Sequence, residues 1–141
     1  MNRQRLADLD LAGWQSVLDR NAAVFSEMQR GSRIGLMSKD DFEPPDATML
    51  VWEATGNAMQ AKYETFPGFD TVAIDLLFIA DDATIRDIHD PANPDPLAEI
   101  KAKTRRRDIM LFVVKPRNEL LDSGYSGLLD SLGLVFMGTC R

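Results

Sequence analysis

Cysteine and histidine are almost absent from this chain of 141 residues. Cys140 is the single cysteine, and His89 is the single histidine. An internal disulfide is therefore impossible, and zinc or haem sites that need several Cys or His ligands are excluded. We expect a protein that works without a metal or an organic cofactor.

Long apolar runs and targeting signals are missing as well. The N-terminus, MNRQRLADLD, has no apolar core of signal-peptide length, and no run approaches the length that spans a membrane. The net charge of −6 disfavours general nucleic-acid binding, which relies on Lys and Arg to neutralise phosphates. The sequence predicts one cytoplasmic domain without a membrane or nucleic-acid partner.

Motifs for nucleophilic or nucleotide chemistry are also lacking. Gly124-Tyr125-Ser126-Gly127 is one residue short of the G-x-S-x-G elbow, and phosphate-loop and dinucleotide fingerprints are absent. Cys140 has no activating partner near it in the sequence. These absences favour a protein that is not an enzyme.

What the chain does contain is a clear strand pattern from Met49 to Ala80. Gly56-Asn57 is a dipeptide typical of a two-residue hairpin turn, because such turns need positive φ. This turn places apolar pairs on one face and largely polar pairs on the other: Leu50 with Tyr63, Trp52 with Ala61 and Ala54 with Met59, against Met49 with Glu64, Val51 with Lys62 and Glu53 with Gln60. A second turn at 66–69 then predicts a third antiparallel strand over 72–78, beside the second.

The N-terminal part reads as one long helix over residues 5–30. Leu11, Trp14, Leu18 and Phe25 recur at helical spacing. The simplest interpretation is a helix that lies on the sheet; the alternative is an interaction helix that forms a dimer.

The rest of the chain completes an α+β fold. Residues 31–48 read as a polar loop. Residues 81–96 read as an irregular loop with one helical turn around Ile85 and Ile88, followed by a helix that starts at Asp95-Pro96. The segment 109–139 reads as β-α-β, with strands at 109–114 and 134–137. We therefore predict a single domain over 1–141 with a mixed five-stranded sheet, an N-terminal antiparallel three-stranded meander at 49–80 and the order α-β-β-β-α-β-α-β.

One basic cluster stands out in this acidic chain. Arg105, Arg106 and Arg107 are consecutive, with Lys101 and Lys103 just upstream. Guanidinium groups suit a phosphate or an acidic partner, so the cluster is a candidate anion or partner contact. The alternative is an ordinary helix end, where cations are favoured by the helix dipole.

Asp75 and Glu99-Ile100-Lys101 carry the one catalytic alternative. An acid on a core strand followed by Glu-x-Lys resembles the restriction-endonuclease-like superfamily of metal-dependent nucleases. That resemblance implies that Asp75 and Glu99 bind Mg²⁺ and that Lys101 steadies the attacking water. The predicted register offers a structural alternative, in which Asp75 faces Gln60 and lies diagonal to Lys62.

The leading functional prediction is a non-catalytic accessory, regulatory or chaperone-like protein-binding module of a bacterial-type cytoplasm, acting with a protein partner or as a homodimer. A nuclease or other phosphoryl-transfer enzyme using Asp75, Glu99 and Lys101 is the alternative. A third possibility is a small-ligand binder in which Trp52 and Tyr63 line a pocket, with the arginine cluster at its mouth.

Overall fold

The computed structural model describes residues 9–39, 47–56, 58–68 and 71–133. Its strands form one sheet and its helices flank it. The strands are β1 (Arg33–Ser38), β2 (Thr48–Ala54), β3 (Met59–Thr65), β4 (Leu76–Ala80) and β5 (Met110–Val113). The helices are α1 (Leu11–Arg20), α2 (Asp82–His89), α3 (Pro96–Arg105), α4 (Arg117–Asp122) and α5 (Ser126–Ser131), with a 3-10 helix at Ala22–Phe25.

The long helix predicted over 5–30 is divided in the structure. Asp10 caps α1, because its carboxylate accepts a hydrogen bond from the Gly13 N–H at 3.1 Å. Asn21 ends α1: its backbone leaves the helical region, and its side-chain amide donates to the Val17 carbonyl at 2.8 Å. The chain then continues as the short 3-10 helix, so the apolar stripe of this region is spread over two elements.

The β2–β3 hairpin has the predicted register at every pair. Leu50 lies opposite Tyr63, Trp52 opposite Ala61 and Ala54 opposite Met59. The Thr55 N–H donates to the Ala58 carbonyl at 2.9 Å, which closes the turn. Period-two alternation on one half-buried face is a strong constraint, because a slip of one residue would turn every apolar side chain outward.

The third strand of the predicted meander is misplaced. The sheet order is β3-β2-β1-β4-β5, so β4 pairs in parallel with β1 and never meets β3. The strand β1 lies in the segment 31–48 that was predicted to be a polar loop. It contains the short apolar run Ile34-Gly35-Leu36-Met37, which is buried on both faces and therefore takes the centre of the sheet.

The α+β class and the mixed five-stranded sheet are confirmed, although the predicted element order is wrong. The extra strand β1 precedes the hairpin, and α2 forms within the predicted irregular loop 81–96. The predicted strand 134–137 lies outside the described residues, as does the part of the predicted helix before residue 9.

Two apolar clusters hold the sheet, one on each face. The helices pack on the face that carries Trp52 and Phe78, together with Trp14 of α1 and Leu128 of α5. The other face is covered by the segment that leads into β4, whose Phe66, Val72 and Ile74 pack on Met37, Leu77 and Ile79. Phe66, Val72 and Ile74 lie over this face of the sheet, and β4 pairs with β1 on the side away from β2.

Candidate functional site

Asp75, the leading catalytic candidate of the sequence, is a buried structural carboxylate that lies just before β4. It is 2% exposed and accepts hydrogen bonds from the Tyr125 hydroxyl at 2.5 Å and the Arg33 backbone N–H at 3.0 Å. The Lys115 ammonium completes its contacts with an ion pair of 2.9 Å. The cross-strand pairing with Gln60 and Lys62 is wrong, because β4 does not neighbour β3; Lys62 pairs with Glu53 at 2.5 Å.

The other members of the predicted catalytic set lie on α3. Glu99 is in the first turn of that helix, and Lys101 packs its side chain near Gly133. The polar contacts of Asp75 include neither residue. Within the described part of the chain, His, Cys, Asp and Glu form no group of three or more that could hold a metal ion. The geometry therefore gives the nuclease alternative no support.

Tyr125 makes the fold sensitive to alkaline pH. Burial, and then its hydrogen bond to Asp75, raise the pKa of this phenol far above its ordinary value. The folded state keeps the proton that an unfolded tyrosine loses above about pH 10. The contribution of Tyr125 to stability is therefore fully present below that pH and decreases as the pH rises above it. We expect the free energy of unfolding to fall by up to about 1.4 kcal/mol per pH unit there.

Urea titrations between about pH 8 and about pH 11 will measure this slope. The hydrogen bond with Asp75 also raises the pKa of Lys115, which acts in the same direction at higher pH. Tyr125→Phe in a Lys115→Met background removes the tyrosine contribution alone. An unchanged slope in that double variant, relative to Lys115→Met, contradicts the assignment.

The basic cluster is exposed at the end of α3. Arg105 closes the helix, and Arg106 forms an exposed ion pair with Asp108 at 3.6 Å. Arg107 has φ +67, the left-handed conformation usual for glycine after a helix. Its role as an anion or partner contact stays a prediction.

The residues of the predicted interaction helix are used mainly inside the molecule. Trp14, Leu18 and Phe25 are buried in the cluster beneath the helices. Leu11 is the exposed member, at 38%. This is the packing expected of a helix on a sheet, and a contribution to a partner interface stays a prediction.

A cavity of about 550 Å³ lies beside this helical region. Its walls are the end of α1, the 3-10 helix with the turn that follows it, and the tip of the β2–β3 hairpin. Large apolar side chains line the inner part: Leu18, Phe25, Met28 and Met59. Small residues line the rest and leave the space open: Ala22, Ala23, Gly56 and Ala58.

The two polar side chains among the described lining residues are both engaged by the chain itself. The Asp19 carboxylate accepts a hydrogen bond from the Gln15 amide at 3.0 Å. The Ser26 hydroxyl donates to the Ala23 carbonyl at 2.9 Å. The described lining is thus mixed, with apolar side chains at its buried positions and polar groups at its exposed ones, and neither polar side chain is an activated nucleophile.

Sequence reasoning missed this cavity. Trp52 and Tyr63, the residues proposed for a pocket, do not line it; the Tyr63 hydroxyl donates to the Leu9 carbonyl at 2.7 Å. One sequence feature could have indicated the cavity: the small residues Ala22 and Ala23 interrupt the apolar stripe of this region. In the structure they line the cavity together with Gly56 of the hairpin turn.

Comparisons with known proteins give two distant structural similarities. No known family matches the sequence, and no curated protein matches it. A solved structure described as a UbiJ-SCP2 ubiquinone synthesis protein has 12% identity and a TM-score of 0.42, covering 86% of this chain and 94% of that one. A conserved hypothetical protein from Thermus thermophilus, described as possibly a sterol carrier protein, has 14% identity and a TM-score of 0.44, covering 94% of this chain and 90% of that one.

Neither similarity is strong enough to determine what this chain binds. In the described part of the chain, every helix is too short or too polar to cross a membrane. The functional conclusion therefore rests on the cavity and on the chemistry of its walls.

Proposed function

We propose that this protein is a non-catalytic accessory module that binds a small, mainly apolar molecule in the cavity between the 3-10 helix and the β2–β3 hairpin. The observation that supports this proposal most directly is the size of the cavity. Its volume of about 550 Å³ falls within the range of small-molecule sites, roughly 300–1,000 Å³. Its most buried lining residues, Leu18, Phe25, Met28 and Met59, are apolar, as the linings of such sites mostly are.

The state of the polar groups supports binding without catalysis. The Ser26 hydroxyl donates its hydrogen bond to the backbone carbonyl of Ala23 in its own turn, and this carbonyl is not a general base. Asp19 is held by Gln15, which also donates to the Met59 carbonyl at 2.8 Å and accepts from the Ala61 N–H at 2.9 Å. Gln15 therefore ties α1 to the edge strand β3 and holds two walls of the cavity together.

The affinity for a small probe follows from the apolar area that it buries. Burial of about 200 Å² contributes about 5 kcal/mol, before the cost of association is subtracted. We therefore expect simple alkylbenzenes to bind with dissociation constants no lower than about 0.2 mM.

Filling the cavity tests the proposal. We expect Ala23→Trp to weaken the binding of butylbenzene at least about tenfold, because an indole placed in the 3-10 helix occupies the space between the walls. Isothermal titration calorimetry measures the dissociation constant. Ala102→Trp, on the exposed side of α3, is the matched control and should bind as the wild type does. Equal affinity in all three proteins, or no saturable binding to the wild type, contradicts the proposal.

The protein-binding prediction remains open beside this one. The exposed large apolar residues in the described part of the chain are Leu11, Met110, Val113 and Leu121. They are candidates for contacts with a protein partner or a second copy, and an accessory module that carries a ligand is compatible with either.

A further inference from the structure

Trp52 holds a buried polar group that the fold does not satisfy. Its side chain is 3% exposed, and its indole N–H has no hydrogen-bond acceptor among the residues described. Trp14, which packs against it with ring centroids 6.4 Å apart, is satisfied, because its indole N–H donates to the Tyr63 hydroxyl at 3.0 Å. The two tryptophans of one cluster thus differ in whether the indole N–H has an acceptor.

The Trp52 ring packs against a residue that lines the cavity. Phe25 lines the cavity and stands edge-on to the Trp52 ring, with centroids 6.1 Å apart. Met59, another lining residue, pairs with Ala54, which is two residues from Trp52 on the same face of β2. The Phe25 ring therefore separates the cavity from the Trp52 indole, and a ligand reaches the indole only when this ring shifts.

We infer that the Trp52 indole N–H is the polar anchor of the cavity and that the ligand is an apolar molecule with a neutral hydrogen-bond acceptor, such as a ketone, ester, ether or alcohol. The inference rests on the proposed function, whose ligand class it narrows. A donor buried without a partner destabilises the protein, so a ligand that brings an acceptor removes that penalty on binding.

The charges near the cavity favour a neutral acceptor over an anionic one. Asp19 is the charged residue among the described lining residues, and its carboxylate repels an anion. A carboxylate placed against the buried Trp52 ring would be desolvated, which is far more costly than burying a carbonyl.

Two probes with the same carbon skeleton test the inference. Butyrophenone differs from butylbenzene by a single carbonyl group. We expect butyrophenone to bind the wild type about three- to tenfold more tightly, which corresponds to one neutral hydrogen bond. Trp52→Phe should abolish this preference, and Trp14→Phe, the matched control, should keep it.

The chain has two tryptophans, so the indole N–H region of a proton–nitrogen NMR spectrum holds two signals, which the two variants assign. Butyrophenone should move the Trp52 signal downfield in the wild type, and butylbenzene should not. This measurement decides the matter even where Trp52→Phe folds poorly.

The outcomes separate the two proposals. Equal affinity for both probes, with an unmoved Trp52 signal, overturns the anchor and leaves the proposal of an apolar cavity intact. A preference that survives in Trp52→Phe overturns the anchor as well. Failure of both probes to bind overturns the anchor together with the proposed function.

Discussion

Gly124→Ala should lower the free energy of unfolding by at least about 4 kcal/mol, which leaves the protein barely stable or mostly unfolded. Gly124 has φ +85, in the left-handed region that disfavours any side chain. A methyl group there would also overlap the Glu27 carbonyl oxygen and lie 2.9 Å from the Met28 Cα. Both obstacles are backbone atoms, so no rotamer change can relieve the clash.

Gly31→Ala is the control that separates the cost of the left-handed backbone conformation from the cost of a steric clash. Gly31 has φ +92, but a methyl group there would meet nothing within 4 Å. We expect this substitution to lower the free energy of unfolding by only about 1–2 kcal/mol, the ordinary cost of the left-handed conformation. Urea denaturation followed by circular dichroism measures both variants. Similar losses of stability at the two positions would show that the backbone of Glu27 and Met28 does not pack against Gly124 as described.

Asp75→Ala should cost about 3–5 kcal/mol, the usual loss when one partner of a buried polar network is removed. The Tyr125 hydroxyl and the Arg33 N–H would lose a charged acceptor inside the protein. The effect is large because this carboxylate joins three elements: β1, the start of β4 and the residue that precedes α5. Urea denaturation near neutral pH measures it.

Lys115→Met is the matched control for this network. Lys115 is 44% exposed, so its ion pair with Asp75 should contribute no more than about 1 kcal/mol. A loss in Asp75→Ala no greater than that in Lys115→Met would contradict the structural role. Metal-dependent cleavage of DNA or RNA by the wild type, abolished in a folded Asp75→Asn variant, would restore the nuclease alternative.

Local chemistry was sufficient for the elements whose partners are close in sequence. The β2–β3 register follows from the Gly56-Asn57 turn and the alternation around it, since a two-residue loop leaves one pairing that buries Trp52 and Leu50 together. The start of α3 follows in the same way from Asp95 and Pro96, whose capping hydrogen bond forms as expected, with the Ala98 N–H at 3.2 Å.

Pairings between distant segments could not be derived in this way. Strand β1 has only a short apolar run interrupted by Gly35, and nothing within 31–48 indicates that it inserts between β2 and β4. Its place at the centre follows from burial on both faces, which depends on segments far along the chain. Because β4 was predicted beside β3, Asp75 was expected to pair with Gln60. With β4 beside β1, it accepts a hydrogen bond from Tyr125 instead.

The amino-acid sequence was enough to establish the fold class, the hairpin register and the scarcity of metal-ligating and nucleophilic groups, because these depend on composition and on neighbours a few residues apart. The strand order, the buried role of Asp75, the cavity and the unsatisfied Trp52 indole emerged only from the folded chain. Each of these depends on which distant surfaces meet, and that is set by the joint burial of apolar area over the whole domain, which no local pattern records.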